Sequence, residues 1–297
     1  MDLSSYIEAI NRQKLKVEGI IVMQHGKKIA EHRWIPEVPR IVYSLSKSFT
    51  STAVGMVIDD GKLSLNDRVI DVLAGVISNP ADSVQAARLK SLTLRHLLTM
   101  SRGHDTQGPH KTVAETLAQP LTRDPGTYFF YDNGCTFLAS AMVTKVTGLK
   151  VRDFLLDRLL RPLGISDPQW DESEDGVTHG YSGLRISTGD IAKFAQFLLQ
   201  KGNWNGKQLV SAAWIEEASR KQIETTDTQT LDDWNLGYGY QFWRCRHGIY
   251  RGDGAFGQYA VVIQNKDAVV AVNSDEKEGD RFRQPLYEVW NHILPQL

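Results

Sequence analysis

Two short stretches of this 297-residue chain hold side chains that could do chemistry together. The first is Ser44-Leu45-Ser46-Lys47, near the head of IVYSLSKSFTSTAVGMVIDDG, residues 41–61. On a helix Ser44 and Lys47 are three apart and share a face. Ser44 would stand at the positive end of the helix dipole, which favours a developing alkoxide. Lys47, forced against the apolar run, would lose solvation, and desolvation lowers an ammonium toward the range where an amine takes a proton. Together they would make an activated nucleophile. The plainer reading is a wet helix start, in which serine hydroxyls cap free backbone N–H groups and the lysine is a stray cation.

The second stretch is PGTYFFYDNG, residues 125–134. Pro-Gly makes a turn, and Tyr131 and Asn133, two apart in a short extended piece, point the same way. A phenol and an amide presented together can relay a proton and hold a carbonyl. The plainer reading is a buried tyrosine beside a turn-forming asparagine.

Other motif matches carry less. A second Ser-x-x-Lys, Ser274 to Lys277 in NSDEKEGD, reads as a solvated turn after a strand. GDGAFG, residues 252–257, fits the glycine pattern of dinucleotide sites, but that pattern must open a helix. Here QYAVVIQNKDAVVAV reads as strand, turn, strand. HGYSG, 179–183, lacks the preceding strand of a nucleophile elbow and reads as a turn. His96, His104 and His110 include no pair at i, i+4, so no zinc site is expected.

The elements that must position these residues follow from periodicity. Residues 4–15 read as a helix and 17–34 as a hairpin turning at His25-Gly26-Lys27. From Ser44 to Asp60, the apolar Leu45, Phe49, Ala53, Met56 and Val57 fall at helical spacing, and Gly61 ends the run. The segment 62–180 is mostly helical, including CTFLASAMVTKVTG and VRDFLLDRLLRPLG. TGDIAKFAQFLLQKG and SAAWIEEASRKQ add two helices. After Leu236 the texture changes to short β-rich runs, GYGYQFWRCR, GIYRG, GQYAVVIQN and AVVAVNS, and PLYEVWNHIL closes the chain as a helix. Strands at both ends with helices between predict an α/β sheet built from 1–43 and 184–297, with 44–183 inserted as a helical domain. The site is expected in the crevice between them, lined by loops 78–90, 104–122 and 224–236.

Composition narrows the partners. Thirty-four Lys+Arg against 35 Asp+Glu leave a formal charge of −1, so no basic stripe points to nucleic acid or an acidic membrane surface. Hydrophobic residues at 41% and charged residues at 23% are those of an ordinary globular protein. Cys135 and Cys245 are too few for a disulfide framework and match no zinc or redox spacing. MDLSSYIEAINRQKLK has no apolar core of a secretory signal, and a cytoplasmic protein is expected.

Taken in order, Ser44-x-x-Lys47, Tyr131-x-Asn133 and a glycine-rich strand near the C-terminus resemble the serine β-lactamase and penicillin-binding-protein superfamily. The likeness is greatest to class C β-lactamases and their esterase and amide-hydrolase relatives. It covers nearly the whole chain through TLRHLLTMSRG, PGTYFFYDNG, STGDIAKFAQFLLQKGNWNGKQLV, GYGYQFW and GAFGQYAVVI. The resemblance implies a β-lactamase-like fold: an antiparallel sheet flanked by helices, an inserted all-helical domain, and the active site in the cleft.

It implies that Ser44 is the nucleophile forming an acyl-enzyme, that Lys47 takes or shares its proton, and that Tyr131 relays protons. Asn133 would orient Lys47 and the substrate. The backbone N–H groups of Ser44 and Ala255, beside Gly254, would form the oxyanion hole. One departure stands out. Where the family commonly has Lys-Thr-Gly, or a motif beginning with His, this chain has Gly252-Asp253-Gly254. The cation that meets a substrate carboxylate is missing unless Arg251 reaches in, and Asp253 points into the cleft, away from it, or merely shapes the turn.

The expected activity is therefore a serine hydrolase acting on a small-molecule ester or amide without metal or other cofactor. The rival enzyme reading is a D-alanyl-D-alanine peptidase or β-lactamase. The rival non-enzyme reading is an inactive acyl-binding sensor or scaffold. No oligomeric state follows from the sequence.

Overall fold

The computed structural model describes residues 1–76, 83–225 and 232–297. Parts of two loops expected at the cleft, 78–82 and 226–231, lie outside the described residues.

Ten strands occur among them: β1 (Val17–Gln24), β2 (Lys27–Arg33), β3 (Arg40–Ile41), β4 (Arg185–Ile186), β5 (Asn203–Trp204), β6 (Lys207–Gln208), β7 (Trp243–Arg244), β8 (Tyr250–Gly254), β9 (Gln258–Ile263) and β10 (Ala268–Ser274). The main sheet runs β2-β1-β10-β9-β8-β7, every pair antiparallel, so it draws on both ends of the chain. The hairpin and the three late strands are where periodicity predicted them, and β8 joins β9 through a turn at 255–257. GYGYQFWRCR is the exception, contributing only Trp243–Arg244.

The helices are α1 (Ser4–Arg12), α2 (Ser46–Asp59), α3 (Val69–Val72), α4 (Ser83–Ser91), α5 (Leu94–Leu98), α6 (Val113–Ala118), α7 (Asn133–Thr147), α8 (Val151–Leu155), α9 (Thr188–Leu199), α10 (Ala212–Ser219) and α11 (Gln284–Glu288). Most of the expected loop 78–90 is thus helix α4. Two expected helices change pitch midway: α8 continues as a π turn, Leu156–Leu160, and α11 as another, Val289–Ile293. No helix among the described residues is long and apolar enough to cross a membrane.

Both faces of the sheet are covered, which is why β9 and β10 read as unbroken apolar runs rather than alternating ones. Ala260, Val262, Val269 and Ala271 share a core with α2, α7 and α9. Tyr259, Val261, Val270 and Val272 face the other way, into a core with Tyr6 and Ile10 of α1 and Leu286 of α11.

Helix α2 departs from its expected one-sided burial. Every residue from Ser46 to Val57 is buried. Most of its hydroxyls find partners there, as buried polar groups usually do, Ser51 Oγ being the exception. Ser48 Oγ donates to the Gln241 carbonyl at 2.9 Å, and Thr50 Oγ1 to the Gly180 carbonyl at 3.0 Å. Gly55 is required by close approach, since a Cβ there would lie 2.2 Å from the Trp214 ring. Gln241 clamps the neighbourhood: its Oε1 accepts from Thr136 of α7 at 2.6 Å, and its Nε2 donates to the Leu98 carbonyl at 2.9 Å.

Candidate active site

Ser44 occupies a single 3-10 turn, Tyr43–Leu45, immediately before α2. It does not cap the helix, whose N-cap is Leu45 with no side-chain hydrogen bond. Instead Ser44 Oγ accepts from Lys47 Nζ at 3.0 Å. The wet-start reading fails here, because Lys47 is only 1% exposed. Ser44 itself remains partly exposed.

Lys47 Nζ also donates to Asn133 Oδ1 at 2.8 Å and to the Tyr181 carbonyl at 3.0 Å. Three acceptors match the three N–H bonds of an ammonium. A neutral amine keeps two N–H bonds and a lone pair. Asn133 Oδ1 and the Tyr181 carbonyl can only accept, so the lone pair falls to Ser44, whose hydroxyl then becomes the donor. Burial lowers the Lys47 pKa to about 7, a shift that the Asp132 and Asp253 carboxylates oppose. Near neutral pH both forms of the amine are therefore populated.

Tyr131 completes the group. Burial pushes the pKa of its phenol above the usual range, against the opposing pull of the neighbouring Ser44 and Trp243 side chains. Trp243 stacks on the ring at 5.4 Å, and Lys47 Nζ sits 4.8 Å from the ring centroid. Asn133 differs from its expected extended setting. It is the first residue of α7, with Asp132 as the N-cap accepting from Gly134 N at 2.9 Å. Tyr131 and Asn133 thus leave the chain on either side of a helix start, yet both reach the Ser44–Lys47 pair.

The opposite wall is β8. Gly252 and Gly254 let it approach: a Cβ at 252 would lie 2.4 Å from Leu45 Cδ1, and one at 254 would lie 2.2 Å from the Val42 carbonyl. A lysine or histidine at 252 has no room without moving Leu45. Arg251 is fully buried and ion-paired to Asp253, with Nη2 2.7 Å from Oδ2. Its Nη1 donates to the Asp233 carbonyl at 3.1 Å and to Cys245 Sγ at 2.9 Å, and Trp234 covers it at 4.2 Å. Arg251 therefore does not reach into the cleft as a free cation. Asp253, 9% exposed, spends its charge on Arg251. Ala255 follows at the exposed tip of the hairpin.

Two left-handed residues bracket the site, Tyr43 (φ +46°) beside Ser44 and Phe256 (φ +66°) beside Ala255. Their rings meet edge to face at 4.9 Å. Such conformations in bulky residues cost about 1–3 kcal/mol each and persist only where the surroundings impose them.

The second Ser-x-x-Lys pair does not assemble. Ser274 Oγ donates to the Lys16 carbonyl at 3.1 Å, whereas the exposed Lys277 pairs with Asp275 at 2.9 Å. HGYSG, read as a mere turn, does more, for it supplies the Tyr181 carbonyl to Lys47. Trp243 was likewise not singled out. A backbone acceptor leaves no trace in residue type, and the only available signal was the glycine-flanked motif itself.

Residues 12–292 match the Beta-lactamase family. A protein of Escherichia coli (strain K12) named as a D-alanyl-D-alanine carboxypeptidase is 23% identical over 65% of this chain and 56% of its own length. The present chain thus spans little more than half of that relative. The 6-aminohexanoate-dimer hydrolase of Paenarthrobacter ureafaciens is 22% identical over 89% of this chain and 74% of its own. Among solved structures, the octameric penicillin-binding protein homologue from Pyrococcus abyssi superposes with a TM-score of 0.77. It is 21% identical and covers 100% of this chain and 78% of that one, a likeness of fold. The names of these relatives point to hydrolase activity, and the match across nearly its whole length places this chain in the Beta-lactamase family.

Proposed function

We propose that the protein is a serine hydrolase that cleaves a neutral ester or small amide through an acyl-enzyme on Ser44. The observation that carries this reading is the buried amine of Lys47, 3.0 Å from Ser44 Oγ, with its other two contacts restricted to acceptors. Neutral Lys47 takes the Ser44 proton as Oγ bonds to the substrate carbonyl carbon. The developing oxyanion is met by the backbone N–H groups of Ser44 and Ala255, beside Gly254. Tyr131 passes the proton to the leaving alcohol or amine as the carbon–heteroatom bond breaks. Water, deprotonated through the same Tyr131–Lys47 pair, then releases the acid and restores Ser44. Asn133 holds Lys47 and the substrate in register.

Esterase or amidase activity is favoured over the peptidase and β-lactamase readings by the β8 wall. The buried Arg251–Asp253 pair offers no free cation to a substrate carboxylate. Intact proton-transfer groups weigh against an inactive acyl-binding scaffold.

The test is a fluorophosphonate probe, which replaces its P–F bond with a bond to serine Oγ and releases fluoride. The adduct is expected on the peptide holding Ser44, and Ser44→Ala is expected to abolish both labelling and turnover of a short ester panel. An adduct on Ser182 or Ser274 would sink the mechanism.

A further inference from the structure

Arg102, within TLRHLLTMSRG, and Asp132, between Tyr131 and Asn133, take no part in the chemistry described above, yet they are among the most buried charges of the described residues, 2% and 1% exposed. Arg102 Nε ion-pairs with Asp132 Oδ2. The same guanidinium donates through Nη1 to the Thr116 carbonyl at 3.1 Å and through Nη2 to Gln119 Oε1 at 2.5 Å. Asp132 caps α7 with its other oxygen. Gly134 makes room for this packing, since a Cβ there would lie 3.1 Å from Arg102 Cζ and 2.9 Å from His110 Cε1. Gln107, from the same loop as Arg102, donates to the Tyr131 carbonyl. The segment from 102 to 119 is therefore bolted onto the first turn of α7.

A buried ion pair is a poor source of stability, because well-packed apolar residues of similar volume hold a fold as well or better. What it supplies is a fixed geometry, and Asp132 stands between Tyr131 and Asn133. We propose that Asp132, locked by Arg102, is a positioning residue that fixes the start of α7 so that Asn133 meets Lys47 and Tyr131 meets Ser44. This rests on the hydrolase reading above. Asp132 also acts on Lys47 as a charge, favouring the ammonium. The other groups bearing on Lys47 are Ser44, Asn133, Tyr131, the carbonyl and ring of Tyr181, Cys135 and Asp253. His110, whose ring nitrogens make no hydrogen bond and whose Nε2 lies 3.6 Å from Asp132 Oδ1, has its pKa lowered by burial.

The experiment measures the rate of fluorophosphonate labelling against pH in three variants, with thermal melts alongside. Asp132→Asn is expected to slow labelling roughly tenfold or more, as small misplacements of reacting groups do, and to move the midpoint of the pH profile downward. Arg102→Lys keeps the charge but replaces a planar fork of donors with a compact ammonium that cannot reach the same separated acceptors, so its rate should fall while its midpoint stays. The double variant Arg102→Met/Asp132→Asn removes both charges and is expected to melt close to the wild type yet label slowly, with the lowered midpoint. Should the single variants fail to fold, the double variant alone decides. Wild-type rate and midpoint in a folded double variant would overturn the proposal and leave the pair a packing feature. No labelling of Ser44 in the wild type would overturn the hydrolase reading, and this inference with it.

Discussion

Two basic side chains flanking the cleft are almost wholly buried and have opposite characters. Lys47 on α2 touches only neutral partners, Ser44, Asn133 and the Tyr181 carbonyl. Arg251 on β8 is bonded to the Asp253 carboxylate. Burial presses on both, but an ammonium without a counter-ion can relieve the cost by giving up its proton, and Lys47 is lowered to about 7. A guanidinium keeps its proton, so it must be paired. One wall therefore holds a labile charge and the other a cancelled one. The difference teaches that burial alone does not make a base. What does is burial of an amine among acceptors that carry no full charge.

The largest expected effect comes from unbalancing β8. Asp253→Asn would leave Arg251 charged without its counter-ion, and losing one partner of a buried pair costs about 3–5 kcal/mol. A marked fall in melting temperature is expected. A melt within a degree or two of the wild type would mean that Trp234 and the Asp233 carbonyl suffice to hold the guanidinium.

Making the helical wall resemble the sheet wall is the next test. Lys47→Arg keeps the charge but fixes the proton, and the rate should fall by roughly 10²-fold or more. The sign of the pH dependence follows from the direction of the shift. Lys47 acts when unprotonated, so wild-type kcat/KM should climb as pH rises through about 7 and level off above it. The arginine variant should lack that limb. Retained activity in the variant would show that the site needs only a positive charge.

The smallest effect concerns substrate choice. A charge-assisted contact to a carboxylate is worth about 1.5–3 kcal/mol, or roughly ten- to a hundredfold. With Arg251 neutralised and Gly252 bare, that advantage should be absent. The comparison is kcat/KM for a neutral short-chain ester, its matching free acid and a chromogenic cephalosporin. Preference for either carboxylate-bearing compound would mean that another cation serves the cleft.

Much of the frame was legible in the chain. The hairpin at 17–34 and strands β9 and β10 declared themselves through period-two and apolar patterning, and α2 and α7 through helical spacing and the terminal glycines Gly61 and Gly148. Ser44 and Lys47 share a helix turn, so their meeting was almost a local matter. Tyr131 and Asn133 were visible as types but not in their setting, because a helix start at Asn133 depends on the capping of Asp132, itself fixed by Arg102 thirty residues earlier.

The sequence by itself determined which chemistry was on offer: a serine and a lysine one turn apart, a tyrosine and an amide-bearing asparagine two apart, and two glycines where a strand must come close. Only the tertiary structure decided what each group became. Lys47 owes its lowered pKa to burial without a bonded carboxylate, and no spacing reports either. The Tyr181 carbonyl that helps aim its lone pair lies 134 residues away. Arg251, which the sequence left as a cation within reach, was withdrawn by Asp253 two residues on and by the Trp234 ring that covers it. Local pattern sets the types and faces of side chains, whereas solvation and charge pairing are set by whatever the rest of the chain packs against them.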